Sequence, residues 1–155
     1  MKKILIILFL FIGISCSKQD AEKDFYLKAV ENSPIELNGD KTLFIVPGAG
    51  CQGCISGAEY FIKENIEYYK DIVFVFTNIQ SVKVLRMKLG DQVFNSPNIY
   101  LDKNNNFLNI GNKNSIYPII THLTDGEITQ LKYVSPDSEY SISELLNGNK
   151  ISGNH

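Results

Sequence analysis

Hydrophobic positions change their spacing several times along the chain. Lys2 and Lys3 precede an unbroken apolar run over residues 4–12, and small residues follow at Gly13 and Ser15, just before Cys16. The run is well short of the roughly 20 apolar residues that a membrane-spanning helix needs, and its charge lies only on the amino side. It reads as a secretory signal and is left out of the fold. Residues 17–24 are polar and charged, the character of a tether. From residue 42 onward, short apolar runs alternate with segments of helical period.

Residues 42–47 form a β-branched and aromatic run closed by Pro47, the pattern of a buried strand. The loop Gly48-Ala49-Gly50 leads to Cys51. Beyond Cys54, apolar residues recur at Ile55, Ala58, Phe61, Ile62, Ile66 and Tyr69, which predicts one face of a helix of about four turns. Glu59, Lys63, Glu64 and Glu67 fall on its polar face. Residues 72–76 are fully apolar, as in a strand buried between helices. Val82, Val84, Leu85 and Leu89 predict a second helix ending near Gly90. A short strand over residues 98–101 then precedes a turn-rich stretch, 102–106. Residues 118–123 and 128–134 flank Asp125-Gly126, a dipeptide that favours a tight hairpin. The sequence Ser141-Ile142-Ser143-Glu144 matches a capping box and predicts a last helix.

Composition adds bounds to this outline. The chain has 155 residues, of which 44% are hydrophobic, with nine Phe and eight Tyr, so it has the means to build a core. What remains beyond the signal and tether is about one domain in length. A net charge of −2, with no basic cluster beyond the signal, gives no sign of a nucleic-acid partner. Gly13-Ile14-Ser15-Cys16 resembles the bacterial lipobox, with Gly13 where Leu usually stands. That resemblance implies cleavage before Cys16, acylation of its thiol and attachment to a membrane. It also resolves an odd count of three cysteines, because Cys51 and Cys54 are then left as a pair.

Two cysteines three residues apart at the start of a helix suit disulfide exchange. Backbone N–H groups at the helix start favour a thiolate on Cys51, and Cys54 lies one turn on, within reach. Cys51 is then the attacking thiol and Cys54 the resolving one. Other readings compete. A structural Cys51–Cys54 disulfide would close a very short loop and remove little chain entropy. A zinc site would need two more ligands, and the histidines are only His122 and His155. A copper site of C-x-x-x-C type would need one more residue between the cysteines. His122 sits in an apolar strand and reads as a packed or surface residue rather than a ligand. No metal or other cofactor is expected.

This order of strand, loop, C-x-x-C, helix and β-α unit, followed by an X-Pro, a strand, an Asp-Gly turn and another strand, resembles the thioredoxin superfamily. Its longer spacing is similar to that of the exported, membrane-tethered relatives of the TlpA and ResA type. The resemblance implies an α/β thioredoxin-like fold, with a central mixed β-sheet flanked by helices. It further implies a cis-proline facing the cysteines, with Tyr117-Pro118 as the candidate substrate-binding pair and Ser96-Pro97 as the runner-up. The sequence departs from the family pattern at Gly50, where an aromatic residue is usual, and at Gln52-Gly53, where Pro is common. It also lacks an acidic residue in the 42–46 strand, and Glu59 is expected at the surface.

The expected organisation is a signal peptide over 1–15, a lipidated cysteine with tether and extension over 16–39, and the thioredoxin-like domain over 40–155. The expected function is that of a thiol-disulfide oxidoreductase in the cell envelope, exchanging electrons with protein or small-molecule disulfides. By resemblance to the tethered relatives, its electron donor is an inner-membrane protein. The alternative is a non-enzymatic binding module in which the cysteine pair is a structural clip.

Overall fold

The computed structural model describes residues 18–36 and 39–147. Cys16, the 1–15 segment and His155 lie outside the described residues. The elements are α1 (Lys18–Glu31), β1 (Lys41–Pro47), α2 (Gln52–Asn65), β2 (Ile72–Thr77), α3 (Val82–Leu89), α4 (Asp91–Phe94), β3 (Ile99–Leu101), β4 (Ile119–Thr124), β5 (Glu127–Tyr133) and α5 (Ile142–Leu146). The fold is α/β, with one five-stranded mixed sheet in the order β3-β2-β1-β4-β5.

Both faces of the sheet are covered, which explains the continuous apolar runs of its central strands. In β1, Phe44 and Val46 face one way and pack with Phe74 and Phe76 of β2, with Ile55, Ala58 and Ile62 of α2, and with Leu85, Leu89, Leu145 and Leu146 of α3 and α5. Leu43 and Ile45 face the other way and pack with Val75, Ile119, Leu123, Phe107 and the α1 residues Tyr26, Ala29 and Val30. The crossovers from β1 to β2 and from β2 to β3 both join parallel strands and step the same way along the sheet. Right-handed connections of this kind put α2 and α3 on one face. The chain then returns past the other face, burying Phe107, and enters β4 antiparallel to β1 on its opposite side.

The predicted punctuation is found where the sequence placed it, although α2 ends at Asn65 and a 3-10 turn, Ile66–Tyr68, follows it. Ser81 caps α3, with its side chain accepting from Val84 N–H, and the helix stops at Gly90. Asp125 and Gly126 both have positive φ, 52° and 81°, as a tight hairpin turn requires. At α5, the Ser141 side chain accepts from Glu144 N–H while the Glu144 carboxylate accepts from Ser141 N–H, completing the capping box. The segment read as a tether behaves differently. It is helical from Lys18 onward, and the second half of that helix enters the core. Phe25, Tyr26, Ala29 and Val30 make a compact apolar stripe, and the polar first turn, residues 18–21, is exposed.

Candidate functional site

β1 ends at Pro47, buried between β2 and β4, and the chain turns through Gly48-Ala49-Gly50 into α2. Gly48 N–H donates to Thr77 O at 2.8 Å, which ties this turn to the end of β2. Cys51 is the N-cap of the 14-residue helix α2, and its Sγ accepts from Cys54 N–H at 3.4 Å. Cys51 and Cys54 are joined in a disulfide with their Cα atoms 5.3 Å apart, and both are half-buried. The expected pairing and its position at a helix start are therefore present. An attacking thiol should be the more exposed of the two, and no such contrast is evident at this level of burial.

The segment before β4 is brought onto the pair by backbone contacts. Cys51 N–H donates to Ile116 O at 3.0 Å. Gly50, with φ +141°, packs flat against Ile116. A Cβ at Gly50 would lie 2.7 Å from the Ile116 Cα and closer still to its carbonyl oxygen. The absence of an aromatic residue before Cys51 thus has a steric cause, since only glycine fits there. Ile116 was not expected to matter, and nothing in its local sequence marks it.

The proline expectation is corrected. No described peptide bond is cis, so Tyr117-Pro118 and Ser96-Pro97 are both trans. Tyr117 is extended, with φ −101° and ψ 150°, the conformation a trans proline favours in the residue before it. Its N–H donates to Asn114 O at 3.0 Å, and Pro118 O accepts from Val134 N–H at 2.8 Å. Pro118 is buried and enters β4 directly in register. The Tyr117 N–H is therefore engaged within the chain. Pro97 lies at the far end of the sheet, where the neighbouring Asn98 side chain donates to Tyr69 O, Lys70 O and Ile72 O at the start of β2.

Beside the disulfide runs an open groove of about 340 Å³, floored by Gly53 and Gly57 of α2 and walled by Val134, Ser135, Pro136 and Ile142. Among the described residues no charged side chain lines it. Neither glycine has anything within 4 Å of an added Cβ, so here the missing side chains leave open space.

His122 is fully buried on β4. Its Nε2 donates to Leu145 O at 2.9 Å, and because a carbonyl can only accept, Nε2 carries the proton. Its Nδ1 lies 2.9 Å from Thr42 Oγ1, which donates to it in the neutral ring. Thr42 opens β1 whereas Cys51 follows its end, so His122 and the cysteines are at opposite ends of that strand. Among the described residues no three His, Cys, Asp or Glu side chains are grouped to hold a metal ion. Glu59 also departs from expectation. Its side chain is only 12% exposed, because Lys88 of α3 folds over it with Nζ–Oε distances of 2.8 and 3.0 Å. No family model, curated protein or solved structure matches this chain.

Proposed function

We propose that this chain is a thiol-disulfide oxidoreductase on a thioredoxin-like scaffold, acting through Cys51 and Cys54. The observation that carries the reading is the Cys51–Cys54 disulfide at the N-cap of α2, beside an open, uncharged groove. In the dithiol form the helix N-terminus and the Cys54 N–H favour a thiolate on Cys51. That thiolate attacks a substrate disulfide, forming a mixed disulfide and releasing one substrate thiolate. Cys54 then attacks Cys51 Sγ, releases the second substrate thiolate and restores the disulfide, so two electrons pass to the substrate. Substrate docks in the groove along Val134-Ser135-Pro136. Export and a lipid on Cys16 belong to the same proposal and place the pair in the envelope, within reach of a membrane electron donor. Release of a Cys16→Ser variant from membranes is the check on that part.

A second reading, the pair as a structural clip in a binding module, is favoured by the trans Pro118 and by the engaged Tyr117 N–H. Equilibration with glutathione separates the two. An oxidoreductase exchanges within the glutathione range, and its reduced form is alkylated faster at Cys51 than at Cys54. A pair that stays closed until below about −300 mV, with slow and equal labelling once reduced, refutes the oxidoreductase.

A further inference from the structure

On the face of the sheet opposite α2, three polar side chains meet at the sheet surface. Asn112 Nδ2 donates to Glu22 Oε1 at 2.8 Å and to the Tyr133 hydroxyl at 2.6 Å, and that hydroxyl donates to Glu22 Oε2 at 2.9 Å. Among the described residues no cation pairs with Glu22. Asn112 is buried, and its second function faces the other way. Its Oδ1 accepts from Asn114 N–H at 3.0 Å and caps the short 3-10 turn Lys113–Ile116. The last residue of that turn supplies the carbonyl that holds Cys51 N–H. A continuous chain of hydrogen bonds therefore runs from the first described helix to the reactive cysteine, as carboxylate, amide, 3-10 turn and backbone carbonyl. Burial pushes the Tyr133 hydroxyl well above its ordinary value, and the neighbouring Glu22 carboxylate adds to the rise, in keeping with a cluster shielded from water.

We propose that Glu22, acting through Asn112, is a positioning residue for Cys51 that stabilises the disulfide form over the dithiol form. This rests on the oxidoreductase reading only for its biological meaning, since the coupling itself is a property of the pair. While the turn is held, Ile116 O fixes the Cys51 backbone with Sγ directed at Cys54, and the two sulfurs keep a high effective concentration toward each other. Releasing the turn gives Cys51 more freedom, which the dithiol uses and the disulfide cannot. The disulfide then becomes easier to reduce. Coupling of this kind is reciprocal, so reduction of the pair loosens the hold on α1.

The test is the redox equilibrium of the full chain, read in glutathione buffers, or in dithiothreitol buffers if the wild-type pair stays closed in glutathione. Glu22→Ala and Asn112→Ala should each move the equilibrium constant about tenfold toward the dithiol, roughly 30 mV. Glu22→Gln keeps an acceptor for Asn112 and should stay within about threefold of the wild type. Val30→Ala removes packing from the same helix without touching the relay, and it should lower stability while leaving the equilibrium unchanged. Amide exchange at Cys51 should quicken in Asn112→Ala, which truncates the relay without altering α1, while the amide of Ile55 in the next turn keeps its rate. Wild-type equilibrium constants in the two relay variants, or an equal shift in Val30→Ala, would overturn the proposal. One of the two couples reads the ratio of variant to wild-type constants under either outcome of the function test, so the outcome here is separate from that one.

Discussion

Gly50→Ala is the most demanding single test of the site. Two costs add at this position. A φ of +141° lies where non-glycine residues carry strain of roughly 1–3 kcal/mol. The new methyl group would also overlap Ile116, with its Cα only 2.7 Å away, and forced overpacking costs about 1–3 kcal/mol. Moving Ile116 aside to relieve the overlap breaks the bond from Cys51 N–H, worth about 1 kcal/mol. The expected loss is therefore about 2–6 kcal/mol, a large share of the stability of an ordinary domain. Urea denaturation of the oxidised protein should show it as a midpoint lowered by about 1–3 M. Gly57→Ala is the internal control. It lies inside α2 with open space at its Cβ, so the substitution should raise stability by about 0.5–1 kcal/mol. A Gly50→Ala protein within about 0.5 kcal/mol of the wild type, or a Gly57→Ala protein equally destabilised, would refute the steric account of the turn before Cys51.

His122→Leu should cost about 2–4 kcal/mol, because it strands the Leu145 carbonyl and the Thr42 hydroxyl, yet it should leave the Cys51–Cys54 redox equilibrium unchanged. A shift in that equilibrium would place the ring in the redox site after all. Alkaline stability follows from Tyr26 and Tyr133. Both hydroxyls are raised above the ordinary tyrosine value, chiefly by burial and further by Glu22 nearby. Their contribution is complete below about pH 10 and is lost as pH rises beyond it, because the unfolded chain releases these protons first. Urea midpoints should fall above pH 10, and the fall should be smaller in Tyr133→Phe; an equal fall in that variant would remove Tyr133 from the account.

The sheet and its punctuation were legible because they rest on local chemistry. Ser81 and Ser141 cap helices, Gly90 stops one, and Asp125-Gly126 supplies the two positive φ angles of a hairpin. Cys51 and Cys54 were legible as a pair for the same reason. The first helix was missed because its apolar stripe begins only at Phe25, after a polar turn that by itself resembles a linker. The partial covering of Glu59 involves Lys88, which belongs to another helix, and no helical wheel contains that contact. The surroundings of Cys51 were hidden most completely. Gly50 touches Ile116, Asn112 touches Glu22, and each pair meets only through the long return past the α1 face of the sheet. Where that return ends, Tyr117 is extended and the bond to Pro118 is trans.

The ends of the sheet bear on how copies of this protein behave when many share a small area. A neighbouring chain can extend a sheet only along an unpaired edge. One edge here is β3, just three residues long, too short to seed a stable intermolecular ladder. The other is β5, which exposes Glu127, Thr129 and Lys132 and whose Thr129 carbonyl is already taken by Lys23 Nζ of α1 at 3.3 Å. Lateral growth would have to displace that lysine and bring charged side chains together. Edge-to-edge polymerisation is thus disfavoured at both ends of the sheet, however closely copies are crowded.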